Sequence, residues 1–457
     1  MTTLALIFLV INALALLALP RRWAPLPLLV GACYMTLGQG ISIGPFNFTV
    51  IRLLVLAGVF RIVIRREFLA NGLNRLDWLM IAGATIAVAS SYFHGDRFGA
   101  LVFRLGLVYD SCGIYFLMRV FCRGLEDAIV IAKITVILLI PVAAAMVYEN
   151  LAFRNVFAVF GGVSEIPQIR EGRIRSQGPF AHPILAGTVG AVCLPLALIL
   201  WRRYRREAWI GVVTCLVIVF FSASSGPILS VLAVLVALGM WRFRFYMQQV
   251  RWLLVATYVA LDLAMKAPAY YMLARINIAS GSTGYHRAAL IEAALKHLDE
   301  WWLGGTDYTR HWMPTGVSWS PAHTDITNHY IQLGVLGGLP LMLMFIWILA
   351  TGFSFVGQRV KQAGAQSSDE AVIVWCLGAA LFAHVATMIS VSYFDQSFLF
   401  VYLTLALIGS VWAGAVLPAA VAEQQEGSIR RGDSTAGRPR RFVQPLRGTN
   451  GRSGGAP

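Results

Sequence analysis

About thirteen apolar runs, most of them close to the length a helix needs to cross a bilayer, dominate the sequence and leave the chain few alternatives. Their approximate limits are 4–19, 25–41, 46–64, 77–92, 98–121, 128–150, 182–200, 208–222, 226–241, 251–267, 327–351, 371–391 and 395–416. Lipid offers the backbone no hydrogen-bond partners, so a spanning segment is a helix or part of a closed barrel. These runs are continuous and lack the alternation of barrel strands. With 58% apolar residues, 13% charged residues and a mean hydropathy of +0.69, a soluble globule would expose far too much apolar surface. The expected fold is all-α, a polytopic transmembrane helical bundle of about 12–14 helices in the lipid bilayer.

Basic residues orient such a bundle toward the cytoplasm. Arg21/Arg22, Arg65/Arg66/Arg75, Arg119/Arg123, Arg202/Arg203/Arg205/Arg206, Arg242/Arg244/Arg251 and Arg359/Lys361 fall in alternate loops. The opposite short loops carry only Arg97, which predicts an outward N-terminus, with no signal-peptide pattern in the opening residues. Two longer loops, about 151–181 and 268–326, then face outward despite their own arginines. The implied organisation is N-terminal helices over 1–150, a core with both loops over 151–351, C-terminal helices over 352–417, and a disordered basic cytoplasmic tail over 418–457. The formal charge of +15 fits anionic lipid headgroups better than nucleic acid. The six cysteines lie in or beside apolar runs with no CxxC pair, so they read as packing residues. No disulfide framework or metal site is indicated.

Charged groups inside apolar runs mark either structural ion pairs or a polar cavity. Arg52, Arg104, Asp110, Glu149, Asp262, Lys266, His384 and Asp395 gather largely in the outer half, which favours an outward-facing cavity. Asp110 is placed to neutralise either Arg52 or Arg104. Membrane-buried charge also fits a transporter, although no matched pair of interrupted segments is visible in two halves.

The first outer loop ends in EGRIRSQGPFAHPILAG, where Arg173 and Arg175 precede Gly178 and His182. Pro183 predicts the start of the next helix, whose positive end and the two arginines form a candidate anion site. In the second loop, STGYHRAALIEAALKHLDEWWLGG predicts an amphipathic helix at the membrane interface. Leu290, Ile291, Ala294, Leu295 and Leu298 share its apolar face, with Arg287, Glu292, Lys296 and Asp299 largely off it. A polar doorway, SPAHTDITNHYIQLGVLGGLP, then carries His323, Asp325 and His329 into the next apolar run.

Over residues 170–350 the chain resembles the O-antigen ligase and polymerase family (Wzy-C type) of bacterial polysaccharide-assembly membrane proteins. RSQGPFAHP is similar to the family's Arg-x-x-Gly-x-Phe-x-His-Pro element, and GYHRAALIEAALKHLDEWWLGG to its arginine-bearing helix. TNHYIQLGVLGGLP is similar to its Asn-x-Tyr-Leu element. Two departures stand out: Thr327 occupies the position before the Asn where the family commonly has His, and SASSGP lacks the arginine of a Ser-Arg-Gly element. The resemblance implies an enzyme of the bacterial inner membrane with its site facing the periplasm. It implies a metal-independent glycosyltransferase with no cofactor, using an undecaprenyl-pyrophosphate-linked glycan donor and a glycan or lipid A–core acceptor.

On that reading Arg175 and Arg287, then Arg173 and Arg52, hold the pyrophosphate, and His323 or His329 accepts the acceptor proton with Asp325 orienting either. His182 reads as structural. Exopolysaccharide or O-antigen polymerisation is favoured slightly over ligation in lipopolysaccharide biosynthesis. Transport of a lipid-linked oligosaccharide is the alternative from another class.

Overall fold

The computed structural model describes residues 1–275, 283–317, 320–364 and 368–433. Its first eight helices are α1 (Thr3–Ala18), α2 (Pro25–Tyr34), α3 (Val50–Arg65), α4 (Arg75–Ala89), α5 (Arg97–Phe121), α6 (Leu125–Ala152), α7 (Pro183–Ile199) and α8 (Arg205–Phe221). They are followed by α9 (Ser225–Gly239), α10 (Met247–Ala264), the one-turn α11 (Met272–Arg275), α12 (Thr283–Lys296) and the one-turn α13 (Leu298–Trp301). The last three are α14 (His329–Gly364), α15 (Ser368–Met388) and α16 (Phe398–Asp433). Each apolar run of the sequence falls on one of these helices. Among the described residues seven stretches are long and apolar enough to cross a membrane, including a single stretch over Ser225–Ala264 that takes in α9 and α10.

The helices are shorter than the runs in places. The 25–41 run yields only α2, whose ten residues rise about 15 Å, roughly half the hydrocarbon thickness. The next run opens not with helix but with strand. Gly40–Ile43 (β1) and Phe46–Thr49 (β2) pair antiparallel before Thr49 caps α3 by accepting from the Arg52 amide. Two further hairpins lie in the longer loops: Gln168–Arg170 (β3) with Arg173–Arg175 (β4), and Gly316–Val317 (β5) with Ser320–Thr324 (β6).

Residues 1–415 form one compact unit, and Val416–Pro457 a second. The expectation of a disordered tail from residue 418 is corrected over 418–433, which are helical. Ala, Glu and Gln, strong helix formers, carry the pattern on; residues 434–457 lie outside the described residues. Within the first unit α7 is the most enclosed helix, buried along nearly its whole length among α6, α8, α9 and α15.

α14 is broken near its start. Gly337 and Gly338 leave helical geometry, and Gly338 takes a φ of 73°. A Cβ there would also meet the Leu303 carbonyl oxygen at 2.4 Å, so only glycine fits. Pro340 has no N–H to offer Leu336, four residues earlier. The carbonyls freed by the break find partners elsewhere: Val335 O accepts from the Thr306 amide at 2.9 Å, and Leu336 O accepts from Arg104 Nε at 3.1 Å. The Leu339 amide donates to Trp302 O at 2.8 Å. The break thereby receives residues 302–306 of the second long loop and gives the buried Arg104 an acceptor.

Candidate functional site

The loop 176–181 is held on every side by backbone hydrogen bonds. Glu149, near the end of α6, accepts from the amides of Gln177 at 3.1 Å and Gly178 at 2.8 Å. Asp395 accepts from the Ala181 amide at 2.8 Å, and Gln396 donates to Pro179 O at 2.8 Å. Asn155 donates to Gly178 O at 2.8 Å, and the Ser176 amide donates to Phe221 O at 3.0 Å. Two buried carboxylates thus fix one short backbone segment rather than neutralising arginines. His182 caps α7, its Nδ1 accepting from the Ile184 amide at 3.2 Å, with Pro183 in the first turn as expected. Burial, with Arg175 and Arg170 nearby, lowers its imidazole to about 4. His182 is therefore neutral and structural.

Upstream, β3 and β4 turn through Glu171 and Gly172, both at positive φ, a two-residue turn that suits the twist of a hairpin. It pairs Arg170 with Arg173 and Gln168 with Arg175. Arg170 and Arg173 are exposed, whereas Arg175 is 7% exposed at the end of β4. Arg175 Nη2 donates to Ser224 Oγ at 2.7 Å, while its Nε is buried without a partner. Ser224 stands in SASSGP, the segment without an arginine of its own, so Arg175 reaches that segment from a different loop.

The second loop brings Arg287 to a comparable setting. α12 was expected to carry Arg287 off its apolar face; the structure corrects this. Arg287, Leu290 and Ala294 follow one another at helical spacing and are all buried. Leu290 and Ala294 pack with Trp301, Trp312, Ile331 and Val335, so α12 docks on the beginning of α14. Leu295, expected on the apolar face, is 55% exposed.

Arg287 has no carboxylate or hydrogen-bond partner among the described residues, and Arg175 has no carboxylate partner there either. Burial lowers both guanidiniums from their usual value, and the charge of Arg170 lowers both further. The two first-choice arginines therefore share one cationic neighbour, and neither of them meets a carboxylate among the described residues.

Arg52 belongs elsewhere. Its guanidinium pairs in two-pronged fashion with Asp110, at 2.9 and 2.7 Å, and donates to Asn47 O at 2.6 Å. Of the two arginines Asp110 was placed to neutralise, it takes Arg52. No contact among the described residues joins Arg52 to Arg175 or Arg287.

The histidines differ in what their rings can do. His323, in β6, contacts Ser320 Oγ through Nδ1 at 2.8 Å. A hydroxyl can accept there, so the imidazole proton can reside on Nδ1 and leave Nε2 a base. His329 opens α14, and its Nδ1 lies between a donor, the Tyr393 amide at 3.3 Å, and an acceptor, Gln332 Oε1 at 3.1 Å, so its contacts fix no single tautomer. Asp325 is exposed, and its carboxylate meets neither histidine among the described residues. Its backbone carbonyl lies 3.3 Å from His286 Nε2, on the residue before Arg287. The strand bearing His323 thus ends beside the first turn of α12.

Some functional residues were not legible in the sequence. Ser224 had only its position before a helix to recommend it. Gln396 and Asn155 carried no signal. The histidines at 297 and 311 are far enough apart to look unrelated, yet the fold brings them to one carboxylate. No family model matches the sequence, and neither a curated protein nor a solved structure does.

Proposed function

We propose that this chain is a polysaccharide-assembly glycosyltransferase of the bacterial inner membrane, working at the periplasmic face on an undecaprenyl-pyrophosphate-linked glycan. The observation that carries the reading is that Arg175 and Arg287 are both desolvated, each repelled by Arg170, and neither matched by a carboxylate among the described residues. A buried charge is costly unless a partner or a ligand supplies the opposite charge. A diphosphate does so, and guanidinium forks match its oxygens.

In the reaction an acceptor hydroxyl attacks the anomeric carbon of the donor. The new glycosidic bond forms as the bond from that carbon to the pyrophosphate oxygen breaks, with inversion, and undecaprenyl pyrophosphate departs with the electron pair. Arg175 and Arg287 stabilise the charge that grows on the leaving group. Arg173 and Arg170, exposed at the hairpin, assist entry of the anion. His323 is the preferred base, taking the hydroxyl proton on Nε2, because its Nδ1 contacts a hydroxyl that can accept the ring proton. Arg52, matched by Asp110, is set aside from phosphate binding. Polymerisation is favoured slightly over transfer to lipid A–core, and the full complement of membrane crossings and their outward loops belong to the same proposal.

The test is a reconstituted assay with the purified chain and the lipid-linked glycan. The reading expects release of undecaprenyl pyrophosphate together with a longer or transferred glycan. Movement of the lipid between leaflets without release would replace it with the transport reading. A deletion strain then separates the two enzymatic forms: short units still attached mark a polymerase, and loss of all attached units a ligase.

A further inference from the structure

The second outer loop contains a cluster that the proposed transfer does not use. His297 follows α12 directly, Glu300 lies in α13, and His311 comes from the single turn Arg310–Trp312. Their donor atoms lie within 4.8 Å of one another. His297 Nδ1 is 2.8 Å from Glu300 Oε1, and His311 Nε2 is 2.9 Å from the same oxygen.

The arrangement has three properties of a metal centre. Its donors are two imidazoles and one carboxylate, a set that suits zinc and its neighbours among divalent transition ions. Its surroundings orient the donors: Trp312 Nε1 donates to the second oxygen of Glu300 at 3.0 Å and stacks on His297, while Tyr308 stacks on His311. A group that fixes a liganding carboxylate from behind is what metal sites use to hold geometry. Its charge is also unbalanced, because with both imidazoles neutral the trio carries one negative charge. Among the described residues no further carboxylate takes part.

We infer that His297, Glu300 and His311 form a binding site for a divalent transition metal ion of the zinc class, tying α12 to the segment ahead of β6. With metal–ligand distances of about 2.0–2.2 Å, tetrahedral ligation separates donor atoms by roughly 3.4 Å, so each imidazole moves about half an ångström away from Glu300 and the two imidazole nitrogens, within 4.8 Å of each other, settle at the same separation. Each neutral imidazole shifts its proton to the other ring nitrogen, leaving Nδ1 of His297 and Nε2 of His311 to bind the ion. A fourth position stays open to water. The ion closes a loop between residues 300 and 311 and braces the helix that carries Arg287.

The experiment uses the full chain, purified in detergent without a polyhistidine tag and stripped with chelator. Zinc, and cobalt as a spectroscopic probe, are titrated while bound metal and thermal unfolding are followed. The inference expects about one ion per chain, a visible cobalt band of four- or five-coordinate type, and a melting temperature raised by zinc. His297→Ala, His311→Ala and Glu300→Gln should each lose at least about tenfold in zinc affinity and lose the zinc-dependent melting shift. His286→Ala, on α12 outside the trio, should keep both. Zinc bound equally by wild type and the double variant His297→Ala/His311→Ala would overturn the inference, as would no binding by folded wild type. Neither result depends on whether the chain transfers glycans.

Discussion

Two sets of buried arginines show opposite uses of the same side chain. Around Asp77 the charges are matched within the protein. Arg119 meets Asp77 at 3.0 and 2.9 Å and donates to Ser410 Oγ at 3.1 Å, and Tyr115 donates to the same carboxylate at 2.6 Å. Asn74 and Asp77 complete a reciprocal cap at the start of α4. Arg119 and Asp77 are both fully enclosed. Around Arg175 and Arg287 there is burial without matching, and the neighbouring charge is another arginine. A satisfied buried pair joins helices and has no capacity left for a ligand. An unsatisfied set is unfavourable alone and becomes favourable when an anion arrives. The difference in partners, rather than in burial, separates framework from site.

The comparison can be broken most severely at its matched end. Asp77→Ala leaves Arg119 charged and enclosed without its counter-ion, which should lower stability by about 3–5 kcal/mol, read as a fall in melting temperature in detergent. Arg175→Ala or Arg287→Ala should do the reverse. Each should lower turnover in the reconstituted assay by about a hundredfold or more while leaving the melting temperature unchanged or higher, since a repulsion is removed. Wild-type turnover in both variants would end the assignment of these arginines. Inorganic pyrophosphate should raise the melting temperature of wild type more than that of either variant.

A subtler effect comes from His182. Its imidazole is held at about 4 in the folded chain against about 6.5 when unfolded, so the unfolded state binds the extra proton first. Stability from this residue is present above about 6.5 and falls as pH drops toward 4. His182→Asn keeps a capping side chain and should flatten that part of the curve. The smallest expected effect is at Arg52. Arg52→Ala with Asp110→Ala, which removes a matched pair together, should change turnover less than tenfold, far less than either site arginine.

Much of this architecture was legible because apolar length and helix-start chemistry are local. The thirteen runs and the helix start at Pro183 needed no knowledge of distant residues. Partner choice was not local. That Asp110 would take Arg52 rather than Arg104 depended on a kink more than two hundred residues away. The face of α12 was misread because Arg287 sits at the spacing of Leu290 and Ala294, and side-chain charge was allowed to outweigh that spacing. The first hairpin was hidden because β1 and β2 borrow apolar residues from the ends of runs that read as helix. Glu149 and Asp395 were visible as charges at depth, but their use in gripping a backbone was not.

The break in α14 has a consequence for another helix. Because Gly337 and Gly338 leave helical geometry, the Leu336 carbonyl has no amide one turn further on, and the guanidinium of Arg104 from α5 serves it instead. A local departure from helix on one element thus sets where a cation on its neighbour is stationed.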